Sequence, residues 1–196
     1  MTAKILDGKA LSEEIRAEVA AGVIEMKQNH GITPGLAAIL VGDDPASAIY
    51  VRNKRRACEE VGMVSDTILL PADCNTEEVL ATVDDLNKNH RFHGILVQLP
   101  LPPQVDELAI IESINPDKDV DGLHPFNVGK LAQGRADFVP GTPAGIQQIL
   151  MRSGHDPAGA NVVVCGRSDI VGKPIALLPV SYTHLRAHET LRYLVC

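Results

Sequence analysis

Short apolar runs alternate with amphipathic helical segments along most of this chain, and this alternation limits the folds open to it. Three runs have the composition of buried strands: GLAAILVG (35–42), VSDTILL (64–70) and GILVQLP (94–100). Each is separated from the next by apolar residues at helical spacing. Strands joined by helices are typical of a parallel sheet with helices on its faces. We therefore predict an α/β protein whose N-terminal domain has three layers.

Local start and stop signals support the same division into helices. Ser12 is followed by two glutamates and then by apolar residues at helical spacing, so we expect a helix to begin there and to end before Gly31. Asp44 followed by Pro45 indicates an N-cap and a first helical position. The helix that they open is expected to run to Gly62.

A second α/β domain is expected in the last third of the chain. We place the boundary in an aperiodic stretch and assign residues 1–135 to the first domain. Thr142 and Pro143 open the next helix, and residues 161–165 form a strand that runs into a glycine turn and a further helix. This order of elements is typical of the beginning of a nucleotide-binding domain.

Composition and charge narrow the partners and the compartment. The net charge of −7 at pH 7 argues against a nucleic-acid or anionic-membrane surface. No run approaches the ~18 consecutive apolar residues of a membrane span, and the first residues lack the apolar core of a secretory signal. The four cysteines are scattered with no CxxC pair. We therefore expect reduced thiols in a cytoplasmic protein, with no metal site.

The helix after Asp44 carries the first candidate site residue, Lys54. At about 100° per residue, it shares one broad face with Ser47 and Tyr50, together with residues expected to face the sheet. The opposite, solvated side is predicted to carry Arg52, Arg55 and Arg56. A partly desolvated amine is suited to proton transfer or to stabilising charge. The alternative is a lysine that extends past the helix edge into water, and spacing alone leaves both open.

Two polar features follow the third strand. Gln98 lies near the carboxyl end of an otherwise apolar run, where open α/β sheets bind ligands; alternatively it caps a neighbouring loop. The segment NPDKDVDG then contains Asp117, Asp119 and Asp121. It lacks the distal glutamate of a calcium loop, since residue 128 is a valine, so metal binding is not expected. Asx turns would explain these aspartates, and one ligand-facing carboxylate is the functional alternative.

The turn GRSDIVGKP, after the last predicted strand, is suited to a phosphate. Five residues separate Gly166 from Gly172, which disfavours a P-loop NTPase, and Ser168 stands where a GxGxxG fingerprint has its second glycine. Backbone N–H groups near a helix start can bind phosphate. Arg167 and Ser168 would add donors for the 2′-phosphate of NADP. An ordinary turn between a strand and a helix would have a similar sequence.

Four segments together resemble one family: VGDDPASAIYVRNKRRACEEVG, GILVQLPLP, PDKDVDGLHPFNVG and GRSDIVGKP. The family is that of the bifunctional methylenetetrahydrofolate dehydrogenase/methenyltetrahydrofolate cyclohydrolases of one-carbon metabolism, and the resemblance covers residues 1–178 in order and spacing. It implies that 5,10-methylenetetrahydrofolate is oxidised with NADP⁺ and that the methenyl product is hydrolysed to 10-formyltetrahydrofolate. It also implies a homodimer and a Rossmann-type NADP-binding domain, which would begin at residue 136.

The resemblance implies a role for each candidate residue. Lys54 would be the central catalytic group, held and tuned by Gln98. Tyr50 would stack on the folate near Ser47, and Asp121 would bind the pterin ring. The residues implied to hold the NADP phosphate are Gly166, Arg167 and Ser168, with Thr142 and Pro143 lining the cleft between domains.

The chain departs from the family pattern at two places. Gly141 stands where many members have a cysteine before Thr-Pro. From Pro179 onwards the sequence resembles nothing in the family, and a proline at the sixth helical position clashes with the carbonyl four residues back. We therefore expect 179–196 to be a non-native tail, 136–178 to be an incomplete NADP-binding domain, and dehydrogenase activity to be impaired. A non-catalytic folate- or nucleotide-binding module is the alternative to an enzyme.

Overall fold

The protein forms alternating helices and strands in a computed structural model, which describes residues 5–157, 160–178 and 184–188, the last of these as backbone alone. Within these ranges the helices are α1 (Gly8–His30), α2 (Pro45–Glu60), α3 (Thr76–Lys88), α4 (Glu107–Ser113), α5 (Pro125–Ala132), α6 (Gly141–Arg152) and α7 (Gly172–Leu177). The strands are β1 (Gly35–Val41), β2 (Val64–Leu70), β3 (Gly94–Val97), β4 (Asn161–Cys165) and β5 (His184–His188). The chain packs as two compact units: the first spans Lys9–Val120, and the second is formed by the residues on either side of it.

Strand β1 is the centre of the first unit. It lies between β2 and β3 in a parallel sheet of order β2-β1-β3. Ile39 stands opposite Ile68 on one side and Val97 on the other. Every residue of β1 except Leu36 is buried. Both faces of the strand are therefore covered, which explains its continuous apolar sequence.

Alternate residues of this sheet pack against different helical layers, as the pleat of a strand requires. On one face, Ile39 and Ile95 belong to a core that includes residues of α3 and α4, among them Val79, Val83 and Ile110. On the other face, the sheet packs against Val51 of α2 through Ala38, Leu40 and Leu96. The predicted three-layer α/β architecture is confirmed.

Two element boundaries of the first unit differ from the predictions. Helix α1 begins at Gly8, before Ser12, and ends as expected ahead of Gly31, whose φ of 67° favours glycine. Strand β3 ends at Val97, so Gln98 follows the strand directly. The apolar run is longer than the strand, because only its first four residues pair with β1.

The second unit resumes at Asp121, and the domain boundary that we placed after residue 135 stays a prediction. Its first described helix after Asp121 is α5, which packs with α7. We did not predict α5, because its segment contains a proline and few periodic apolar residues. Pro125 occupies the first helical turn, where its missing N–H costs nothing, and the His124 Nδ1 accepts a hydrogen bond from Phe126 N–H at 3.0 Å.

Strands β4 and β5 of the second unit pair in parallel, with Asn161 opposite His184. We did not expect the backbone of 184–188 to extend a sheet. Helix α7 ends at Leu177, which agrees with the helix-breaking effect of Pro179. Residues 179–183, 189–196 and the side chains of β5 lie outside the described part of the chain, so the assignment of a non-native tail stays a prediction. In the described part, no helix has the length and apolar character needed to cross a bilayer.

Candidate functional site

The candidate site of the first unit is built on α2, whose start is fixed by Asp44. The Oδ2 of Asp44 accepts a hydrogen bond from Ser47 N–H at 2.7 Å, and Pro45 is the first helical residue, as predicted. This hydrogen bond lowers the pKa of Asp44. The carboxylate is therefore charged at neutral pH beside the positive end of the helix dipole. The cap sets the start of the helix that carries Tyr50 and Lys54.

The buried stripe of α2 consists of Ser47, Val51 and Cys58. Tyr50 is 60% exposed, so its predicted place on the sheet-facing side was wrong. Val51 takes that place because its branched side chain packs against the sheet. The predicted solvated face is confirmed by three exposed side chains, those of Arg52, Arg55 and Arg56.

Lys54 and Gln98 come together at the carboxyl end of β3. Lys54 Nζ donates a hydrogen bond to Gln98 Oε1 at 3.3 Å. Gln98 Nε2 donates to the carbonyl oxygen of Leu99 at 2.7 Å, and its backbone N–H donates to Ile39 O at 2.9 Å. The amide oxygen therefore faces the lysine. Gln98 thus bonds to its own loop and also contacts Lys54, as the resemblance implies, and its role in ligand binding stays a prediction.

The charge of Lys54 has no anionic partner in the described part of the chain. Its side chain is half-buried, and no described carboxylate lies within 4.0 Å of its nitrogen. Lys88, Lys130 and Lys173, by contrast, each form an ion pair with an aspartate. A lysine ammonium has three N–H donors, and one of them is directed at Gln98. This arrangement differs from a lysine that extends past the helix edge, and it suits contact with a ligand.

The acidic segment after α4 forms the turn that we gave as its structural explanation. The Oδ1 of Asn115 accepts from Asp117 N–H at 3.0 Å, which is an Asx turn. Asp119 is buried and Asp121 is half-buried. Asp121 is also the residue at which the second unit resumes after Val120. Across the described residues, no three His, Cys, Asp or Glu side chains are grouped to hold a metal ion. The pterin contact implied for Asp121 stays a prediction.

The second unit carries the glycine turn between β4 and α7, and the predicted order of strand, turn and helix is confirmed. Gly166 has a φ of 152°, which favours glycine. A Cβ on Gly172 would lie 2.5 Å from the carbonyl carbon of Gly166, so the helix starts in direct contact with the turn. Ser168 Oγ accepts from Gly172 N–H at 3.2 Å, and Arg167 is exposed beside it.

A cavity of about 470 Å³ lies next to this turn, within the range of small-molecule sites. It reaches Gly166 and Ser168, and most of its lining is apolar, including Ile146, Leu150, Val162, Val164 and Ile175. Sequence analysis missed the apolar lining because such residues are equally typical of a core. Thr142 and Pro143 lie in the first turn of α6 and are not among the lining residues, so their implied role stays a prediction.

Comparison with known proteins identifies two matching family models. The family described as "Tetrahydrofolate dehydrogenase/cyclohydrolase, catalytic domain" matches residues 6–121. The companion "Tetrahydrofolate dehydrogenase/cyclohydrolase, NAD(P)-binding domain" matches residues 140–189, which extends beyond α7. The two matches leave 122–139 unassigned, so they do not test the boundary that we placed after residue 135.

Individual relatives are longer than this chain. Bifunctional protein FolD 2 of Geobacter sulfurreducens is 55% identical over 176 residues, which are 90% of this chain and 61% of that protein. FolD of Geotalea daltonii is 52% identical, and the matched residues cover 90% of this chain and 62% of that protein. The chain therefore spans less than two thirds of the length of these relatives.

Solved structures show the same fold. The FolD methylenetetrahydrofolate dehydrogenase/cyclohydrolase of Campylobacter jejuni matches with a TM-score of 0.90 and 42% identity, over 95% of this chain and 67% of that one. The Trypanosoma brucei enzyme, complexed with NADP cofactor and inhibitor, matches with a TM-score of 0.88 and 35% identity, over 95% and 65% of the two chains. By sequence and by fold, this chain belongs to the tetrahydrofolate dehydrogenase/cyclohydrolase family.

Proposed function

We propose that this chain carries the folate site of a methylenetetrahydrofolate dehydrogenase/methenyltetrahydrofolate cyclohydrolase that uses NADP. The substrate would be 5,10-methylenetetrahydrofolate, which is oxidised to the methenyl form and then hydrolysed to 10-formyltetrahydrofolate. The observation that carries the proposal is the half-buried Lys54 ammonium, held by Gln98 and without a carboxylate partner in the described part of the chain.

In the hydrolytic step, the role proposed for Lys54 is to move protons. Water adds to the methenyl carbon, one of the two carbon–nitrogen bonds of the bridge breaks, and one proton is released overall. A positioned amine can relay a proton from the attacking water to the departing nitrogen. Gln98 restricts the places that the amine can reach, because its side-chain amide donates to Leu99 O and its backbone N–H donates to Ile39 O. Such positioning lowers the entropy cost of proton transfer.

The exposed ring of Tyr50 is available for a flat ligand. Tyr50 lies on the same helix as Lys54, and 60% of its surface is exposed. An aromatic face stacks well on a conjugated ring system. We propose that Tyr50 stacks on the folate, that Ser47 supports the same end of α2, and that Asp121 binds the pterin ring.

The turn between β4 and α7 fits a nucleotide phosphate. Arg167 supplies a cationic fork and Ser168 a hydroxyl, and both are exposed. Gly172 lies so close to Gly166 that an added Cβ would meet its carbonyl group. NADP, when bound, supplies the acceptor for the hydride that leaves the methylene carbon. We propose that Gly166, Arg167 and Ser168 bind its phosphate, with Thr142 and Pro143 nearby.

Replacing Gly172 with alanine is expected to weaken NADP⁺ binding at least about tenfold, or about 1.4 kcal/mol. The added Cβ would lie 2.5 Å from Gly166 C and would push the turn away from the helix. The measurement is the dissociation constant for NADP⁺ by titration calorimetry. Gly145→Ala is the matched control, because its added Cβ has nothing within 4 Å. Equal affinities in the two variants would contradict the proposed cofactor turn.

A non-catalytic folate-binding module is the alternative function, and one assay separates the two. Purified chain is mixed with 5,10-methenyltetrahydrofolate, and the methenyl absorbance is followed against a protein-free sample. An enzyme accelerates its loss, whereas a binding module retains the ligand without accelerating hydrolysis. Added NADP⁺ with methylenetetrahydrofolate tests the dehydrogenase step in the same cuvette.

We further propose a cytoplasmic location and a homodimer. Cys58, Cys74 and Cys165 are free thiols, which supports a reducing compartment. Helix α1 exposes Val19, Ile24 and Met26 by 41–56% of their surface, an area that a second copy could cover. A molar mass twice that of the chain by light scattering supports the dimer, and the mass of one chain contradicts it.

A further inference from the structure

One lysine ties residues 115–120, the segment in which the first unit ends, to the C-terminus of α3. Lys118 Nζ donates hydrogen bonds to the carbonyl oxygens of Leu86 and Asn89, at 3.0 and 2.9 Å. Asn89 is the C-cap of α3, and the last carbonyls of a helix favour a cation. The ammonium is half-buried, and burial lowers the pKa of Lys118. The two carbonyls offset the loss of water around the charge.

The same segment runs along β3. The backbone N–H of Ile95 donates to Lys118 O at 2.7 Å, and Ile95 pairs with Asp119 in a parallel bridge. Gly94 leaves no room for a side chain here, because an added Cβ would lie 2.5 Å from Val120 Cγ1. Strand β3 is therefore held between β1 on one edge and this segment on the other.

The beginning of the segment has its own attachment to α3. Asn87 Nδ2 donates to Ser113 O at 2.8 Å, and Asn87 Oδ1 accepts from Asn115 N–H at 2.9 Å. These bonds do not involve Lys118. Removal of the lysine therefore frees the end of the segment beside β3 and leaves its start attached.

If the Lys118 ammonium is removed, each of the two helix carbonyls still has a hydrogen-bond partner. Leu86 O also accepts from Asn89 N–H at 3.2 Å, and Asn89 O accepts from Phe92 N–H at 3.3 Å. The large cost of an unsatisfied buried carbonyl is thus avoided. A substitution is expected to move the segment more than it unfolds the unit.

We propose that Lys118 is a positioning residue of the folate site, a role that rests on the proposed function. Strand β3, which the segment borders, leads directly to Gln98, the residue that holds Lys54. The segment itself leads directly to Asp121. The contact of Lys118 with α3 sets the register of the segment against β3, and so it sets the place of both residues at once.

The test compares variants of the chain in folate binding and in local order. Lys118→Met removes the charge and the donors at nearly constant length, and Lys118→Arg retains a cation. Lys88→Met is the matched control, because Lys88 is an exposed lysine of the same helix end that pairs with Asp84. The measurements are the dissociation constant for 5,10-methenyltetrahydrofolate, the thermal midpoint, and hydrogen exchange at the Ile95 and Asp119 amides.

We expect Lys118→Met to bind the folate about tenfold more weakly at temperatures well below its midpoint, with faster exchange at both amides. Lys118→Arg should recover part of the affinity, and Lys88→Met should match the wild type. A lower midpoint with unchanged affinity would overturn the positioning role and leave the proposed function intact.

Two further results are informative. If the wild type itself fails to bind the folate, the proposed function fails and this inference fails with it. If Lys118→Met does not fold, Lys118→Gln replaces it, because its amide is polar but one atom shorter and uncharged, so it cannot reproduce the contact of the ammonium with both helix carbonyls. Weaker folate binding by folded Lys118→Gln supports the inference, and wild-type affinity overturns it.

Discussion

Replacing Lys54 with methionine is expected to slow hydrolysis of 5,10-methenyltetrahydrofolate by at least about a hundredfold, the lower end of what positioned acid–base groups contribute. Methionine keeps the half-buried stem of the side chain but removes the amine that Gln98 holds at 3.3 Å. Because Tyr50 and the rest of α2 are unchanged, folate binding should be largely retained. The measurements are kcat from the loss of methenyl absorbance and the folate dissociation constant from a separate titration.

Arg55→Met is the matched control for this variant. Arg55 lies on the solvated side of the same helix and pairs with Glu59 in an exposed ion pair, which contributes little. Arg55→Met should leave both kcat and the folate dissociation constant unchanged. Wild-type turnover by Lys54→Met contradicts the catalytic role. Loss of folate binding with normal folding would instead assign Lys54 to substrate binding.

Replacing Ile39 with alanine is expected to lower the free energy of unfolding of the first unit by about 2–5 kcal/mol. Ile39 is fully buried in β1, between Ile68 and Val97 on the neighbouring strands. The loss is a large part of the roughly 5–15 kcal/mol that stabilises an ordinary domain. Urea unfolding followed by circular dichroism measures it.

The control for the core variant is Leu108→Ala, at a side chain of α4 that is 61% exposed. A substitution at such a position changes stability by about 0.5 kcal/mol or less. If Leu108→Ala and Ile39→Ala destabilise the protein equally, the placement of β1 at the centre of the core is contradicted.

Elements whose signals are local could be predicted from the sequence. The continuous apolar run of β1 reflects burial on both faces, and Asp44 with Pro45 sets the start of α2. The meeting of Lys54 with Gln98 was implied by the resemblance to the family, whereas the residues alone left the surroundings of both side chains open. The distance between them depends on the helix rotation, which the sequence did not settle: Tyr50 and Val51 are neighbours, and contact with the sheet selects Val51.

Features that depend on contacts distant in the sequence were missed. Lys118 binds carbonyl oxygens 29 and 32 residues away, and every residue type supplies such an oxygen. No motif therefore distinguishes it from a solvated lysine between two aspartates. Helix α5 was missed for a related reason, since it packs with α7 in the second unit and has little periodicity of its own.

The most direct test of the central claim is a crystal structure of the protein with 5,10-methenyltetrahydrofolate or a stable analogue. We predict that the folate lies against the exposed face of Tyr50. Lys54 Nζ should lie within about 3.5 Å of one of the two nitrogens bonded to the bridge carbon, or of a water molecule beside them. Lys54 should still donate to Gln98 in that complex. A folate bound elsewhere, or one seated at Tyr50 with Lys54 out of reach, would contradict the account.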